Sequence, residues 1–185
     1  NEIAKAANRP KITELKVSFS RDGFHWDRPY REAFIPATRV PGSWDRGYVQ
    51  SVGGICTVVG DQLRFYYIGF KGGDPSSYMH SNGATGMAIL RRDGFASMST
   101  TGEGSLTTRP VTFTGKYLFV NVDCPSGELK VEILDKNNKV IDDLSADKCK
   151  AVSIDSTIQQ IEWNGSSDLS SLVGQEVKFR FKLKN

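Results

Sequence analysis

The sequence has few of the residues on which most catalytic and metal centres depend. It contains two histidines and three cysteines in 185 residues, and no two cysteines have the Cys-x-x-Cys spacing of a zinc site. Dinucleotide and phosphate-loop glycine patterns, the His-Glu-x-x-His motif and the Gly-x-Ser-x-Gly elbow are also absent from the sequence. We therefore predict no cofactor and no metal, and we find no credible Ser–His or Cys–His centre.

Long apolar runs and an excess of charge are also missing. No apolar run approaches the ~20 residues of a membrane-spanning helix, which predicts a soluble chain without a membrane span. The 24 basic residues outnumber the 21 acidic ones by a formal charge of +3. Basic and acidic residues alternate along the chain without a basic patch, which disfavours nucleic-acid binding. No charged n-region or apolar h-region follows Asn1, which fits either a mature or a truncated chain, so the compartment stays open, with a secreted or periplasmic location slightly favoured.

The three cysteines form no evident disulfide framework. Cys56 lies in the apolar stretch 55–59 and is predicted to be a buried free thiol. Cys124 and Cys149 can pair only if the fold brings them together, and the sequence leaves that pairing open.

Helical periodicity is almost absent, and the patterned segments predict an all-β fold. They are short, rich in Val, Ile, Phe and Tyr, and bounded by Gly, Asp, Asn or Pro. Residues 60–61 are predicted to form a hairpin turn, residues 135–138 a hairpin tip, and residues 167–172 a single helical turn. The predicted strands are 14–20, 48–59, 63–70, 83–90, 117–122, 128–134, 139–141, 157–163 and 176–183.

The tetrapeptide Arg-Asp-Gly-Phe occurs twice, at residues 21–24 and 92–95. Each copy follows an apolar strand, and Asp-Gly after a strand is typical of a hairpin turn that needs positive φ. We interpret the two copies as a structural repeat. A repeat of this length, with roughly four strands, is compatible with a propeller blade.

Residues 20–26, Ser-Arg-Asp-Gly-Phe-His-Trp, resemble the Ser-x-Asp-Gly-x-x-Trp hairpin of five-bladed β-propellers in glycoside hydrolase families 32 and 43. Residues 42–47 and 63–70 are similar to the next blade of such a propeller. From 86–95 onward the chain resembles the exit from the last blade into a C-terminal β-sandwich, a likeness carried by residues 106–110, 129–135 and 168–174. The resemblance implies a carbohydrate-related ancestry.

The predicted architecture is a partial propeller-like antiparallel sheet followed by a jelly-roll-like β-sandwich. The Thr-, Gly- and Ser-rich segment 100–110 places the boundary between regions 1–100 and 101–185. The first region has too few strands to close a ring, so its open sheet edges are expected to curl onto the sandwich or to support self-association.

The resemblance implies that this chain is the C-terminal portion of a glycoside-hydrolase-like protein and is not catalytic by itself, because most blades that carry the inner carboxylates are missing from it. The alternative is a stand-alone, non-catalytic module that binds glycans or another partner. A purely structural role in assembly is the third hypothesis.

Trp44, Asp45, Arg46, Tyr48 and Gln50 lie where an inner strand of a propeller would begin. A Trp face stacks on the apolar face of a sugar, while Asp and Arg bond its hydroxyls. The alternative is a tryptophan that packs the blade beside a surface Asp–Arg pair. Glycoside hydrolysis needs two carboxylates; since no convincing second one accompanies Asp45, the catalytic residues remain unknown.

Two further side chains are candidates for ligand binding. His80, in the polar loop 72–83, is either a ligand-facing group or simply solvated. Trp163 is followed by the polar residues 164–167 and is either an exposed sugar platform or a core residue. Trp26 is predicted to pack its hairpin onto the blade, and Asn164 begins an Asn-x-Ser glycosylation pattern.

Overall fold

In a computed structural model, which describes residues 2–6, 11–73 and 79–185, the regular secondary structure is almost entirely antiparallel β-strand. This confirms the all-β prediction. The chain divides into two compact units, Asn1–Arg92 and Asp93–Asn185, which we call the N-terminal and C-terminal units.

The described elements are short, apart from the three strands of the N-terminal sheet. None of the helices in the described ranges is long and apolar enough to cross a membrane. Helix α1 spans Glu2–Ala6, and single 3-10 turns span Asp142–Leu144 and Ser170–Leu172. The strands are β1 Phe19–Ser20, β2 Trp26–Asp27, β3 Tyr48–Val59, β4 Gln62–Phe70, β5 Gly83–Arg91, β6 Glu103–Thr107, β7 Phe119–Asp123, β8 Glu128–Leu134, β9 Asp155–Gln160 and β10 Lys178–Lys184.

The N-terminal unit is built on the antiparallel sheet β3–β4–β5. Gly60, at φ 56°, makes the predicted tight turn between β3 and β4. Alternation along β3 directs Val49 to one face, where it packs with Ile35 and Ala37 from the preceding segment. This covered face also carries aromatic side chains of β4, whereas the opposite face of the sheet is open.

The predicted strand 14–20 forms only in part. β1 covers its last two residues and pairs with β2, while Leu15 makes an isolated bridge to Ile35 and Thr13 one to Tyr48. The remaining residues of the predicted strand form no regular strand.

The C-terminal unit packs the sheet β6–β10–β8 with the pair β7–β9. Alternate residues of β8 and β10 face a common core, to which β7 and the segment after β9 also contribute. Its fully buried members include Val131, Ile133 and Trp163. The Asp135–Asn138 tip forms as predicted, with Asn138 at φ 66°.

The cysteines are all free thiols. Cys124 and Cys149 are buried in the C-terminal core but are not joined; the Cys124 thiol donates to the Val152 carbonyl, and the Cys149 sulfur accepts from the Val131 amide. Cys56 is half-buried rather than buried, because β3 is an edge strand of its sheet.

The two Arg-Asp-Gly-Phe copies adopt different turns. In the first, Gly23 takes positive φ at 78° between the paired strands β1 and β2. In the second, Asp93 itself takes positive φ at 56° where the chain leaves β5. The sequence repeat is therefore not a repeat of backbone conformation at the turn.

Candidate functional site

The Trp44 indole lies on the covered face of the N-terminal sheet, over two glycines. A Cβ atom on Gly69 would lie 2.5 Å from Trp44 Cζ3, and one on Gly86 would lie 2.5 Å from Trp44 Cη2. Only glycine leaves room for the ring at these positions. The side chain of Tyr67 flanks it, with ring centroids 5.5 Å apart and an interplanar angle of 32°. Trp44 nevertheless remains 37% exposed, so part of the fixed indole is open to a ligand.

Asp45 is buried beside this tryptophan, at 6% exposure. One of its carboxylate oxygens accepts hydrogen bonds from the hydroxyls of Thr38, at 2.9 Å, and Ser43. Backbone bonds from Thr38 to Asp45 and from Arg39 to Arg46 close the same loop. The carboxylate therefore orders the loop that presents Trp44, and Arg46 follows it as a half-buried residue.

Tyr67 is a functional candidate that the sequence reasoning missed. Burial raises the pKa of its hydroxyl, and the negative charge of Asp45 raises it further. The phenol therefore stays protonated across the neutral range and keeps its hydrogen-bond donor. The alternation of β4, which directs every second residue of the strand to the covered face, was the available sequence indication.

A second aromatic group contains Tyr48, Phe70 and His80. The His80 ring lies 4.9 Å from that of Tyr48 and 5.5 Å from that of Phe70, both edge-on. The exposed Gln50 follows Tyr48 by two residues on the same edge strand. His80 is thus exposed and packs against two aromatic rings. Residues 74–78 of its loop lie outside the described residues.

Strand alternation separates the predicted site residues into two groups. Val49 faces the core, so Tyr48 and Gln50, on either side of it, face the opposite side of the sheet. Trp44 and Asp45 lie on the Val49 face, in contact with Gly69. Trp44 and Asp45 therefore do not converge with Tyr48 and Gln50 on one pocket.

Trp163 lies in the C-terminal core at 2% exposure. Its indole N–H donates to the Val131 carbonyl at 2.8 Å, which satisfies the polar atom inside the core. This position supports the interpretation of Trp163 as a core residue, because no face of its ring is open to a sugar. The Asn164-Gly165 pair that follows forms an exposed two-residue turn with positive φ at both positions.

The Ser-Arg-Asp-Gly-Phe-His-Trp hairpin is held by Asp22. Its Oδ1 accepts from the backbone amides of Phe24 and His25, and its Oδ2 lies 2.5 Å from His25 Nδ1. The pKa of Asp22 is held well below its usual range, chiefly by the hydrogen bond to the His25 side chain and then by these two amides. Trp26 donates its indole N–H to the Gly23 carbonyl, so the motif residues stabilise their own turn.

The C-terminal unit has a polar groove of about 400 Å³. It contains none of the candidate residues predicted from the sequence. Across the described ranges, no group of three or more His, Cys, Asp or Glu side chains is placed to hold a metal ion. The groove is lined by Lys150, Ala151, Val152, Ser153, Ile154, Gln159, Gln160 and Glu162.

No protein-family model, no curated protein and no solved structure matches this chain. Inferences about its function therefore depend on its own residues and on the motif resemblance.

Proposed function

We propose that this chain is a carbohydrate-binding portion of a glycoside-hydrolase-like protein, and that it contributes to sugar recognition without catalysing cleavage by itself. The observation that carries the proposal is the Trp44 indole, fixed over Gly69 and Gly86 beside Tyr67 and still partly exposed. The blade-like order of the motifs around residues 20–26, 42–47 and 63–70 supports the same assignment.

A fixed, partly exposed indole suits the stacking of a pyranose or furanose ring. The apolar C–H face of a sugar packs on an aromatic face, and a ring that is already immobilised loses little rotamer entropy on binding. The two glycines and the loop held by Asp45 supply that immobilisation. The protonated hydroxyl of Tyr67 adds a hydrogen-bond donor next to the stacking surface.

The environment of Asp45 supports a binding role over a catalytic one. A glycosidase carboxylate must reach the scissile bond or an attacking water. Asp45 is instead buried and accepts from two hydroxyls of its own loop. These contacts favour a positioning residue that presents Trp44.

A stand-alone glycan-binding module is the second candidate, favoured by the aromatic group on the opposite face. Tyr48, His80 and Gln50 offer a ring, an imidazole and an amide near one sheet edge. A module that acts alone is expected to be a well-behaved monomer that binds sugar. A portion of a larger propeller is expected to self-associate through its open sheet.

The test is isothermal titration calorimetry of the chain with a panel of neutral oligosaccharides. We expect measurable binding to at least one, weakened about fivefold or more in Trp44→Ala and only partly in Trp44→Phe, because stacking on an aromatic ring contributes about a kcal/mol or more. Trp26→Ala is the matched control, since this exposed tryptophan lies in the hairpin. Gln50→Ala reports on the opposite face.

Circular dichroism of each variant checks that the fold is retained, and light scattering separates the two candidates by their association state. Absence of binding across the panel, or equal binding by wild type and a folded Trp44→Ala variant, contradicts the proposed platform. If only Gln50→Ala lost sugar binding, the binding site would lie on the opposite face of the sheet.

A further inference from the structure

The outer face of the sheet β6–β10–β8 gathers cations that are dispersed in the sequence. Phe179, Phe181 and Leu183 of β10 pack on the core, so the residues between them face outward. Lys130 of β8 joins them, because it is paired directly with Lys182. We call this the basic face, and it consists of Lys130, Lys178, Arg180, Lys182 and Lys184.

Glu132 organises the middle of the basic face, where it lies opposite Arg180. Its buried carboxylate accepts from Arg180 Nη1 at 2.8 Å and from Lys182 Nζ at 2.9 Å. Burial alone would raise the pKa of Glu132, but these two cations and the Ala146 amide hold it below the usual value. A single carboxylate thereby fixes the positions of two cations.

Beside this carboxylate, like charges face each other across the strands. Lys130 and Lys182 are directly opposite in the register, an arrangement that destabilises a sheet. The ion pair from Lys130 to Glu128 spans 4.0 Å. Both lysines remain accessible, with side chains 35% and 47% exposed. Each lysine has one carboxylate partner, Glu128 for Lys130 and Glu132 for Lys182, and a further anion seated between the two lysines would reduce the repulsion that remains.

We propose that the basic face binds an acidic polysaccharide, whose carboxylate or sulfate groups lie between Lys130 and Lys182 and against Lys184. This inference goes beyond the Trp44 platform and does not depend on it. The face carries five cations against the three carboxylates of Glu103, Glu128 and Glu132, so it retains a positive excess.

Charge density favours a polysaccharide over a nucleic acid. Alternate residues of a strand recur about every 6.7 Å, a spacing that suits a polymer with one charge per sugar. Duplex DNA carries one charge per ~1.7 Å of helix axis, a much higher charge density than the cations of this face can match. The strand residues that form this face, all in the described part of the chain, also include no aromatic ring on which a base could stack.

The experiment measures binding of the whole chain to polygalacturonate and to dextran sulfate at low salt, with neutral dextran and duplex DNA as comparison ligands. The first two ligands separate carboxylate from sulfate recognition. We expect binding to at least one of them, weakening as salt rises, and no binding to neutral dextran.

Lys130→Gln is expected to weaken that binding about two- to fivefold and, in the same protein, to raise the midpoint of urea unfolding. Binding should fall while stability rises, because Lys130 attracts the anion when it is bound but repels Lys182 when no anion is present. Lys116→Gln is the matched control, since Lys116 is an exposed cation of the same unit outside the basic face.

Equal weakening by both variants, or tighter binding of DNA than of either polysaccharide, would overturn the proposal. So would a Lys130→Gln variant that binds as wild type does. A fall in both stability and binding in Lys130→Gln would assign the lysine a structural role and would also overturn it.

Discussion

The two units bury very different amounts of apolar surface. In the C-terminal unit, a cluster of twelve buried residues, including a tryptophan, lies between two sheets. In the described part of the N-terminal unit, the corresponding cluster has three, Ile35, Ala37 and Val49. Since apolar burial is the main source of stability, we expect the N-terminal unit to unfold first.

The same difference separates structural from functional aromatics. Trp163 and its neighbours in the C-terminal core are enclosed. In the N-terminal unit Trp44, Tyr66 and Met87 remain exposed, which leaves surface for ligands. Exposed apolar side chains on an open sheet are also what self-association would cover, and self-association remains a prediction.

The largest expected effect on stability comes from Trp163→Ala, which removes a buried side chain from the larger, C-terminal core. Removing the ring leaves a cavity and an unpaired Val131 carbonyl, at a cost of about 3–5 kcal/mol. Urea unfolding followed by circular dichroism measures the change. We expect the C-terminal transition to move to or below that of the N-terminal unit.

The control for this comparison is Trp26→Ala, because Trp26 is 63% exposed in the N-terminal unit. It should shift unfolding by less than about 1 kcal/mol. If both variants lost equal stability, the two units could not differ in the way their cores indicate.

A smaller effect is expected from Glu132→Gln, which tests a polar contact of the C-terminal unit. At pH 7 the loss of charge opposite Arg180 and Lys182 should cost about 1.5–3 kcal/mol. The pKa of Glu132 is lowered from its usual value of 4.5, so its contribution is present above that value and is lost as the pH falls further.

Urea midpoints measured from pH 7 down to pH 3 check this sign. Wild type and Glu132→Gln should converge at the acid end, while Glu103→Gln, whose side chain is 78% exposed in its ion pair with Lys184, should follow wild type at every pH. A constant offset between wild type and Glu132→Gln would show that the hydrogen bonds, not the charge, matter.

The strands that alternate in hydrophobicity were predictable from the sequence, whereas β6, which has no such pattern, was not. β4 and β10 carry their own pattern, and Gly60 before β4 and Asn138 after β8 mark turns in the sequence. β6 lies in a Ser-, Thr- and Gly-rich segment with Leu106 as its one large apolar side chain. It forms because it pairs with β10, a contact between distant parts of the chain.

For the site, the adjacent residues Trp44 and Asp45 could be predicted together, but their surroundings could not. Tyr67, Gly69 and Gly86 meet the indole only through the registers of β4 and β5. Those registers are set by pairing between strands, so the packing of Trp44 on the two glycines cannot be predicted from any single segment of the sequence. The separation of Tyr48 from Trp44 follows from alternation once β3 is placed.

The smallest expected effect compares the two Asp-Gly turns. Asp22→Asn removes the charge that binds the Phe24 and His25 amides, so these amides should exchange with solvent about three- to tenfold faster. Because the pKa of Asp22 is held well below its usual range, chiefly by His25, the difference should persist through the usual titration range of aspartate at about pH 4 and disappear only in stronger acid. Asp93→Asn is the matched control, since asparagine tolerates the positive φ of Asp93. Hydrogen exchange followed by NMR separates the outcomes: faster exchange confined to the first turn supports two different local structures, and equal acceleration in both turns restores a true structural repeat.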